Sequence, residues 1–223
     1  MCIAISISNL GIPLIRPGAS GLQDKDGNYY NTVVINGQEW IIENLKTLTY
    51  GNGTPIPNIT DGEEWLADDE GAYCYYLNDP VYKDRGVLYN WYAGVNVHGL
   101  SYFTRWGVQE AGWRVPSMMD WTFLMMYIGG IDYGYMLKET GTEHWEAPNV
   151  ATDELGFRGY GAGNRYIDTM EGFASLNIFA DWWSTDEEEG DGVSVYLHND
   201  DGVFMDLDPP KFCGQNVRCV RDL

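Results

Sequence analysis

The residues that most often carry chemistry in proteins are scattered along this chain. Its three histidines, His98, His144 and His198, lie in three separate neighbourhoods, and no two have the four-residue spacing of metal ligands on one helix. Cysteines stand at positions 2, 74, 213 and 219, without the paired CxxC spacing of a zinc site. Cys213 and Cys219 could form a disulfide within a hairpin or stay as free buried thiols. These spacings predict no metal site.

No sequence motif predicts an enzyme. The chain has neither the GxSxG motif of hydrolases nor a Walker phosphate-binding loop. The glycines of GYGAGNR (159–165) lack the flanking strand and helix of a dinucleotide site. Acidic residues are so numerous that no pair of carboxylates stands out as a general acid and base. We therefore expect a non-enzymatic protein that needs no cofactor.

The charge of the chain restricts its partners. Against 13 basic residues stand 33 acidic ones, a net charge of −20, which repels phosphate backbones and anionic lipids. We expect no nucleic-acid partner, and no apolar run reaches the roughly 18 residues of a membrane span. The acidic run at 61–70 (DGEEWLADDE) is typical of a solvated surface. The acidic loop at 186–191 (DEEEGD) could still hold a calcium ion.

One segment, GWRVPSMMDW (112–121), predicts a junction between an extended strand and a helix. Ser117 can cap the helix and Asp120 can return the hydrogen bond, which together form a capping box. Apolar residues then recur at helical spacing up to Ile128, and Gly129-Gly130 ends the helix. We interpret the segment as a core hinge in which Arg114 pairs with a carboxylate. Its predicted structural residues are Trp113, Arg114, Pro116, Ser117, Asp120 and Trp121.

Further signals predict short strands joined by turns. Asn36-Gly37 between two strand-like runs predicts a β-hairpin, and residues 24–28 (DKDGN) predict a turn more strongly than a calcium loop. Residues 132–139 can form a short second helix. From Gly156 onward, frequent glycines and alternating apolar residues, such as Val193 and Val195, predict a meander of antiparallel strands.

The N-terminal segment reads as a separate unit. Ile3, Ile5 and Ile7 alternate with small or polar residues, as in a half-buried strand, and a Pro/Gly-containing linker follows up to residue 20. The strand is either an ordinary first strand or an arm that docks on another chain. Because no basic residue precedes Arg16, we expect no ordinary signal peptide. We divide the chain into residues 1–20, a candidate docking arm, and residues 21–223, the main domain.

Seven segments, in the same order as in the family, make residues 24–223 resemble the Fibrobacter succinogenes major paralogous domain. They are DKDGNYYNTVVINGQEWIIENLKT (24–47), GVLYNWYA (86–93), GWRVPSMMDW (112–121), MLKETGTEHW (136–145), GFRGYGAGNR (156–165), WWST (182–185) and VRCVRD (217–222). That family is similar to the C-type lectin-like fold and, through WR-x-P-[ST]-x-x-[DE]-W, to the formylglycine-generating enzyme group. The resemblance implies an α+β, C-type lectin-like domain with two helices and a twisted antiparallel sheet.

The chain departs from the family pattern in two respects, and it also lacks the ligand strings of calcium-dependent lectins. Members often carry a cysteine just before GWR that would pair with the cysteine of VRCV, whereas Glu110-Ala111 stand there and leave Cys219 without that partner. Members on bacterial surfaces usually follow a signal peptide and a polar tether, and this chain opens with an apolar strand. The EPN, QPD and WND strings of calcium-dependent sugar binding are absent.

The resemblance implies binding, on bacterial surfaces or phage particles. We expect a phage virion protein on the virion surface, either a head-fibre protein or a tail adhesin. Residues 1–20 would anchor it to other virion or surface proteins, and the domain would attach to a host-surface glycan or protein. The alternative is a glycan- or matrix-binding protein of the bacterial cell surface, and a formylglycine-generating-like enzyme is a weaker third. We also expect a homo-oligomer.

Ligands of lectin-like folds meet loops of the C-terminal half, and we expect at least one of the two adjacent tryptophans there to be core. The candidate ligand-binding residues are Trp182, Trp183, Asp186, Tyr196, His198, Asn199 and Asp200.

Overall fold

The computed structural model of the protein describes residues 20–96, 98–166 and 172–223. The predicted strand at 2–15 and nearly all of the candidate docking arm lie outside the described residues. The described strands are β1 (Leu22–Asp24), β2 (Tyr29–Tyr30), β3 (Thr32–Ile35), β4 (Gln38–Ile41), β5 (Tyr73–Cys74), β6 (Leu88–Tyr89), β7 (Phe103–Arg105), β8 (Val108–Glu110), β9 (Ala162–Arg165), β10 (Phe173–Leu176), β11 (Phe179–Glu188), β12 (Asp191–His198), β13 (Phe204–Leu207) and β14 (Val220–Asp222).

The α-helices are α1 (Gly62–Ala67), α2 (Trp91–Gly94) and α3 (Met118–Ile128). Segments of 3₁₀-helix run over Tyr76–Asn78, Pro80–Arg85 and Ile131–Leu137. The expectation of two helices was therefore too low. The acidic run forms the short α1, which is capped by Asp61 and buries its own Trp65. The helix expected at 132–139 is the 3₁₀ segment Ile131–Leu137. Within the described ranges, no helix has the length and apolar content that crossing a membrane requires.

The strands form several small antiparallel sheets instead of the one twisted sheet that was expected. Their orders are β2-β1-β7-β8, β14-β4-β3, β11-β12-β13, β10-β9 and β5-β6. The β11-β12-β13 sheet is the predicted C-terminal meander, and β14 pairs with β4, so that this strand closes against the β3-β4 hairpin. The α+β class is confirmed. Short strands fit a sequence that interrupts its apolar runs with glycine every few residues.

The β3-β4 hairpin forms where the sequence predicts it. Asn36 and Gly37 both have positive φ, 51° and 79°, as a two-residue type I′ turn requires. Asparagine and glycine tolerate that conformation better than other residues do. Ile35 lies opposite Gln38 across the turn, and this register puts Trp40 in the core.

Helix α3 begins and ends at the predicted residues. Ser117 Oγ accepts from the backbone N–H of Asp120, and the Asp120 carboxylate accepts from the N–H of Ser117, which completes the capping box. Gly129 ends the helix in the left-handed conformation. The side facing inward packs on the β3-β4 and β11-β12 hairpins, and the Trp121 ring lies 4.8 Å from that of Trp40.

A buried arginine joins three parts of the chain at the centre of the molecule. The guanidinium of Arg218 donates to Asn44 Oδ1 at 3.1 Å and to the backbone carbonyls of Phe157 and Arg158. The Phe157 ring lies under it, 4.5 Å from the guanidinium carbon. Burial lowers the pKa of Arg218 to about 10, because water no longer solvates the charge. Carbonyl and amide oxygens thus replace water around this cation.

Candidate functional site

Trp182 and Trp183, expected among the ligand-binding residues, are both in the interior. Each is fully buried. The indole N–H of Trp182 donates to Asn44 Oδ1 at 2.9 Å, and that of Trp183 donates to the carbonyl of Tyr89 at 2.8 Å. Since both rings are enclosed and both N–H groups have partners, neither tryptophan presents a surface to a ligand.

The two tryptophans are buried together because β11 is covered on both faces. Successive side chains of a strand point to opposite faces. Trp182 enters the core beneath α3, whereas Trp183 enters a second core with Tyr89 and Trp91. The expectation that at least one of them is core was right, and the placement of both among the ligand-binding candidates was wrong.

Asp186 lies apart from the other candidates. It stands near the turn of the β11-β12 hairpin, whereas His198 pairs with Phe179 at the opposite end. Its side chain is exposed, and Oδ2 accepts from the backbone N–H of Met118 at 2.7 Å, in the first turn of α3. In the part of the chain that the structure describes, the carboxylates of this acidic turn do not come together as three ligands of one ion. Asp186 supports the helix start.

The remaining candidates meet at the open end of the β11-β12-β13 sheet. Tyr196 and His198 lie half-buried on one face of β12, while Val195 and Leu197 are buried on the other. The ring of Phe179 lies 5.6 Å from that of Tyr196 and 4.5 Å from that of His198.

The hydroxyl of Tyr196 also reaches Met205 Sδ on β13, at 3.7 Å. The exposed carboxylate of Asp200 lies next to them, beside His198. We call Phe179, Tyr196, His198, Asp200 and Met205 the aromatic–acidic surface.

His198 and the loop that follows it bring a ring nitrogen close to two carboxylates. His198 Nδ1 lies 2.5 Å from Asp200 Oδ1 and 4.0 Å from Asp201 Oδ2. Such a group could hold a divalent cation of the zinc or manganese type, but calcium takes oxygen ligands only. The hydrogen bond between His198 and Asp200 accounts for the arrangement without an ion. Asp201 is near His198 because the loop turns back.

A buried lysine holds the loop after His198 in place. Lys138 Nζ donates to the carbonyls of His198, Asn199 and Asp201, at 2.6, 2.8 and 3.0 Å. The ammonium group also lies 5.0 Å from the centre of the Trp145 ring. Burial lowers the pKa of Lys138 to about 8. Nothing in the sequence pointed to this contact, because sixty residues separate Lys138 from the loop.

Asn199 supports the loop from inside and does not present its amide to solvent. It is buried, its backbone N–H donates to the carbonyl of Ile178 at 3.0 Å, and Nδ2 donates to the carbonyl of Glu146 at 3.2 Å. The expected ligand role therefore does not fit Asn199. Its neighbours Asp200 and Asp201 keep exposed carboxylates because the loop is fixed at both ends.

The residues predicted as structural lie where they were expected. Arg114 pairs with Asp120 at 2.5 Å and with Asp222 at 3.0 Å, joining the start of α3 to β14. Burial alone would raise the pKa of Asp120, but the hydrogen bonds from Arg114 and Ser117 lower it. Trp113 and Pro116 are buried. The Asp120 carboxylate serves both the capping box and an ion pair with Arg114, and the sequence indicated this residue. The second ion pair of Arg114, with Asp222, was not predicted.

The three cysteines in the described ranges are free. Cys74, Cys213 and Cys219 are buried and form no disulfide, which decides between the two alternatives left open for Cys213 and Cys219. Burial raises the pKa of Cys74 and Cys213 to about 12 and that of Cys219 further. Because their pKa values are raised, these thiols are protonated at neutral pH. A thiol reacts as its thiolate, so they are unreactive there.

A scan against protein-family models matched the Fibrobacter succinogenes major domain over residues 33–221. The chain belongs to this family. Searches of curated proteins and of solved structures gave no match.

Proposed function

We propose that this protein is a non-enzymatic binding module of a phage virion, a head-fibre protein or tail adhesin, that attaches to a glycan on the host surface. The aromatic–acidic surface is the observation that supports the proposal. The rings of Tyr196 and His198 lie 5.6 and 4.5 Å from the ring of Phe179, beside the exposed carboxylate of Asp200.

Such a surface suits a sugar. A pyranose ring has an apolar C–H face that packs on an aromatic ring, and hydroxyls that donate to carboxylate oxygens. Binding sites generally combine aromatic area with a few well-placed polar groups. Tyr196 and Phe179 would supply the area, and Asp200 would accept hydroxyl hydrogens. The three bonds from Lys138 hold the loop in one conformation, which reduces the entropy lost on binding.

The chemistry of the interior favours binding over catalysis. An oxidase of the formylglycine-generating type depends on reactive cysteines, and Cys213 and Cys219 are buried with raised pKa values. The carboxyl of Asp181 has a pKa raised to about 6 by burial, but it is enclosed in the protein and bonded to Asn164. A general acid must reach its substrate, and Asp181 is too deep to do so.

The proposal includes a finer assignment of the fold, to the C-type lectin-like group. Two features support it: a helix packed on antiparallel hairpins, and a last strand, β14, paired with the early strand β4. An experimental structure, superposed on C-type lectin domains, would test this assignment.

A microbial polysaccharide array tests the binding role. Fluorescently labelled full-length protein should bind a restricted set of polysaccharides, and Tyr196→Ala should lose that binding. Tyr29→Ala is the control, since Tyr29 is an exposed tyrosine on β2, in a different sheet. If no polysaccharide is bound, or if both variants bind as the wild type does, the glycan proposal is wrong.

The virion setting needs its own test. After infection, particles banded on a density gradient should contain the protein, and antibody should label their surface. If the protein is instead recovered from the outer surface of uninfected bacteria, the cell-surface alternative replaces the virion proposal.

A further inference from the structure

Helix α3 is apolar on the side that faces solvent as well as on the side that faces the core. Its sequence, MMDWTFLMMYI, has one charged residue, Asp120, which is buried and paired with Arg114. A surface helix normally carries polar residues on its outer face, and a helix apolar all round is normally covered. No polar face exists here to keep the outer side of α3 in water.

The exposed apolar residues of α3 and the following segment form one stripe. Met119, Phe123, Met126 and Tyr127 recur at i, i+4, i+7 and i+8, the spacing of one helix face. Ile131 and Tyr133 extend it past the helix end. These six side chains, the α3 stripe, are between 44% and 68% exposed.

The α3 stripe is large enough to form an interface. At about 150–250 Å² for a large side chain, the exposed fractions correspond to roughly 600 Å² of apolar surface. This area is at the upper end for exposed patches on monomers, which often mark interaction sites. Two copies packed through it would bury roughly 1,200 Å², the lower end of the range for stable protein pairs.

The charge distribution favours a second copy of this chain as the partner that covers the α3 stripe. Between Asp120 and Asp132 the sequence has no charged residue. A basic partner recognised by the net charge of −20 would gain little at this face, since its one exposed carboxylate, Asp132, stands at the end of the stripe. Two uncharged stripes can meet without bringing carboxylates together, whereas contact through the acidic surface would bring like charges together.

The spacing of the stripe also fits two-fold symmetry. If two α3 helices cross antiparallel with Phe123 at the axis, Phe123 faces its own copy and Met119 faces Tyr127 of the other chain. Methionine sulfur and an aromatic ring attract each other. The groove beside Met119 and Phe123 is bounded by the β3-β4 turn and has a volume of about 540 Å³. It could accept the Tyr127 side chain of the second copy.

We propose that the α3 stripe is a homodimer interface in which two α3 helices pack antiparallel around Phe123. The α3 stripe shares no residue with the aromatic–acidic surface, so either proposal can fail alone.

Sedimentation velocity on the full-length chain, from about 1 to 200 µM, tests the interface. The wild type should self-associate in this range, and more strongly at high salt, because salt screens the repulsion between acidic chains. Phe123→Glu should weaken association at least tenfold, by placing two carboxylates at the symmetry axis. Val81→Glu is the matched control, because Val81 is 72% exposed on the Pro80–Arg85 segment, and it should associate as the wild type does.

Cross-linking tests the register. In a Cys2→Ser background, Phe123→Cys should give a cross-linked dimer with a bis-maleimide that spans the roughly 8–10 Å between packed helices, and Val81→Cys should not. A wild type that stays monomeric overturns the proposal and leaves the stripe to a different protein. Association that Phe123→Glu does not weaken, or equal cross-linking at both positions, overturns it as well.

Discussion

Replacing Asp181 by asparagine should stabilise the protein at neutral pH and have little effect near pH 4. Asp181 is buried on β11, and its carboxylate accepts one hydrogen bond from a side chain, from Asn164 Nδ2 at 2.8 Å. Burial raises its pKa from 3.8 to about 6, because one amide donor does not replace the lost water. The Oδ1 atom of Asn164 is buried without a partner, and an asparagine amide at 181 could donate to it.

The direction of the change in stability with pH follows from the protons that the folded and unfolded chains bind. The folded protein holds the Asp181 proton up to about pH 6, whereas the unfolded chain releases it near 3.8. The stabilisation from this group is therefore complete below about pH 4 and is lost as the pH rises through 6. At about 1.4 kcal/mol per pKa unit, the loss is roughly 3 kcal/mol at pH 7, about half of that at pH 5 and under about 1 kcal/mol at pH 4. Asparagine does not ionise and avoids this loss.

Urea unfolding followed by tryptophan fluorescence, at several pH values between 4 and 7.5, measures the effect. The free energy of unfolding of Asp181→Asn minus that of the wild type should increase by roughly 2–3 kcal/mol from pH 4 to pH 7.5. A pH-independent difference for Asp181→Asn would show that the carboxyl does not titrate near 6.

Three further outcomes are expected. Trp121→Ala should lose roughly 3–5 kcal/mol of unfolding free energy as a core truncation, whereas Phe123→Ala, on the exposed side of the same helix, should lose under about 1 kcal/mol in the same urea assay; equal losses would contradict the packing of α3. Lys138→Met should leave three carbonyls unpaired, lower stability by roughly 2–4 kcal/mol and speed amide hydrogen exchange at 199–203; unchanged exchange there would contradict the role of the ammonium group. In Cys2→Ser protein, Ellman's reagent should find three thiols after unfolding and nearly none before, and rapid labelling of the folded protein would contradict their burial.

Local signals predicted the parts of the fold that short segments determine. The capping box of Ser117 and Asp120 and the glycines after Ile128 specify α3 within a few residues, and Asn36-Gly37 specifies the β3-β4 hairpin. The division into small sheets was not predictable in the same way. Which strand pairs with which depends on contacts between distant residues, such as Val220 opposite Trp40.

The candidate site was predicted in part. Tyr196, His198 and Asp200 come together, because alternation along β12 puts the first two on one face and the chain turns directly after them. The burial of both Trp182 and Trp183 was not predicted, because a strand covered on both faces looks, in sequence, like one that is covered on one face. Lys138 was missed because its role depends on backbone carbonyls, which no side-chain pattern reveals.

The central claim, that the aromatic–acidic surface binds a host glycan, is tested most directly by equilibrium affinities. Isothermal titration calorimetry would measure the full-length protein against the polysaccharide that the wild type selects from the array. Tyr196→Ala and Asp200→Asn should each weaken binding by roughly tenfold or more, about 1.4 kcal/mol, while Tyr29→Ala should stay within about twofold. Wild-type affinity in Tyr196→Ala and Asp200→Asn would contradict the account and move the binding site elsewhere on the domain.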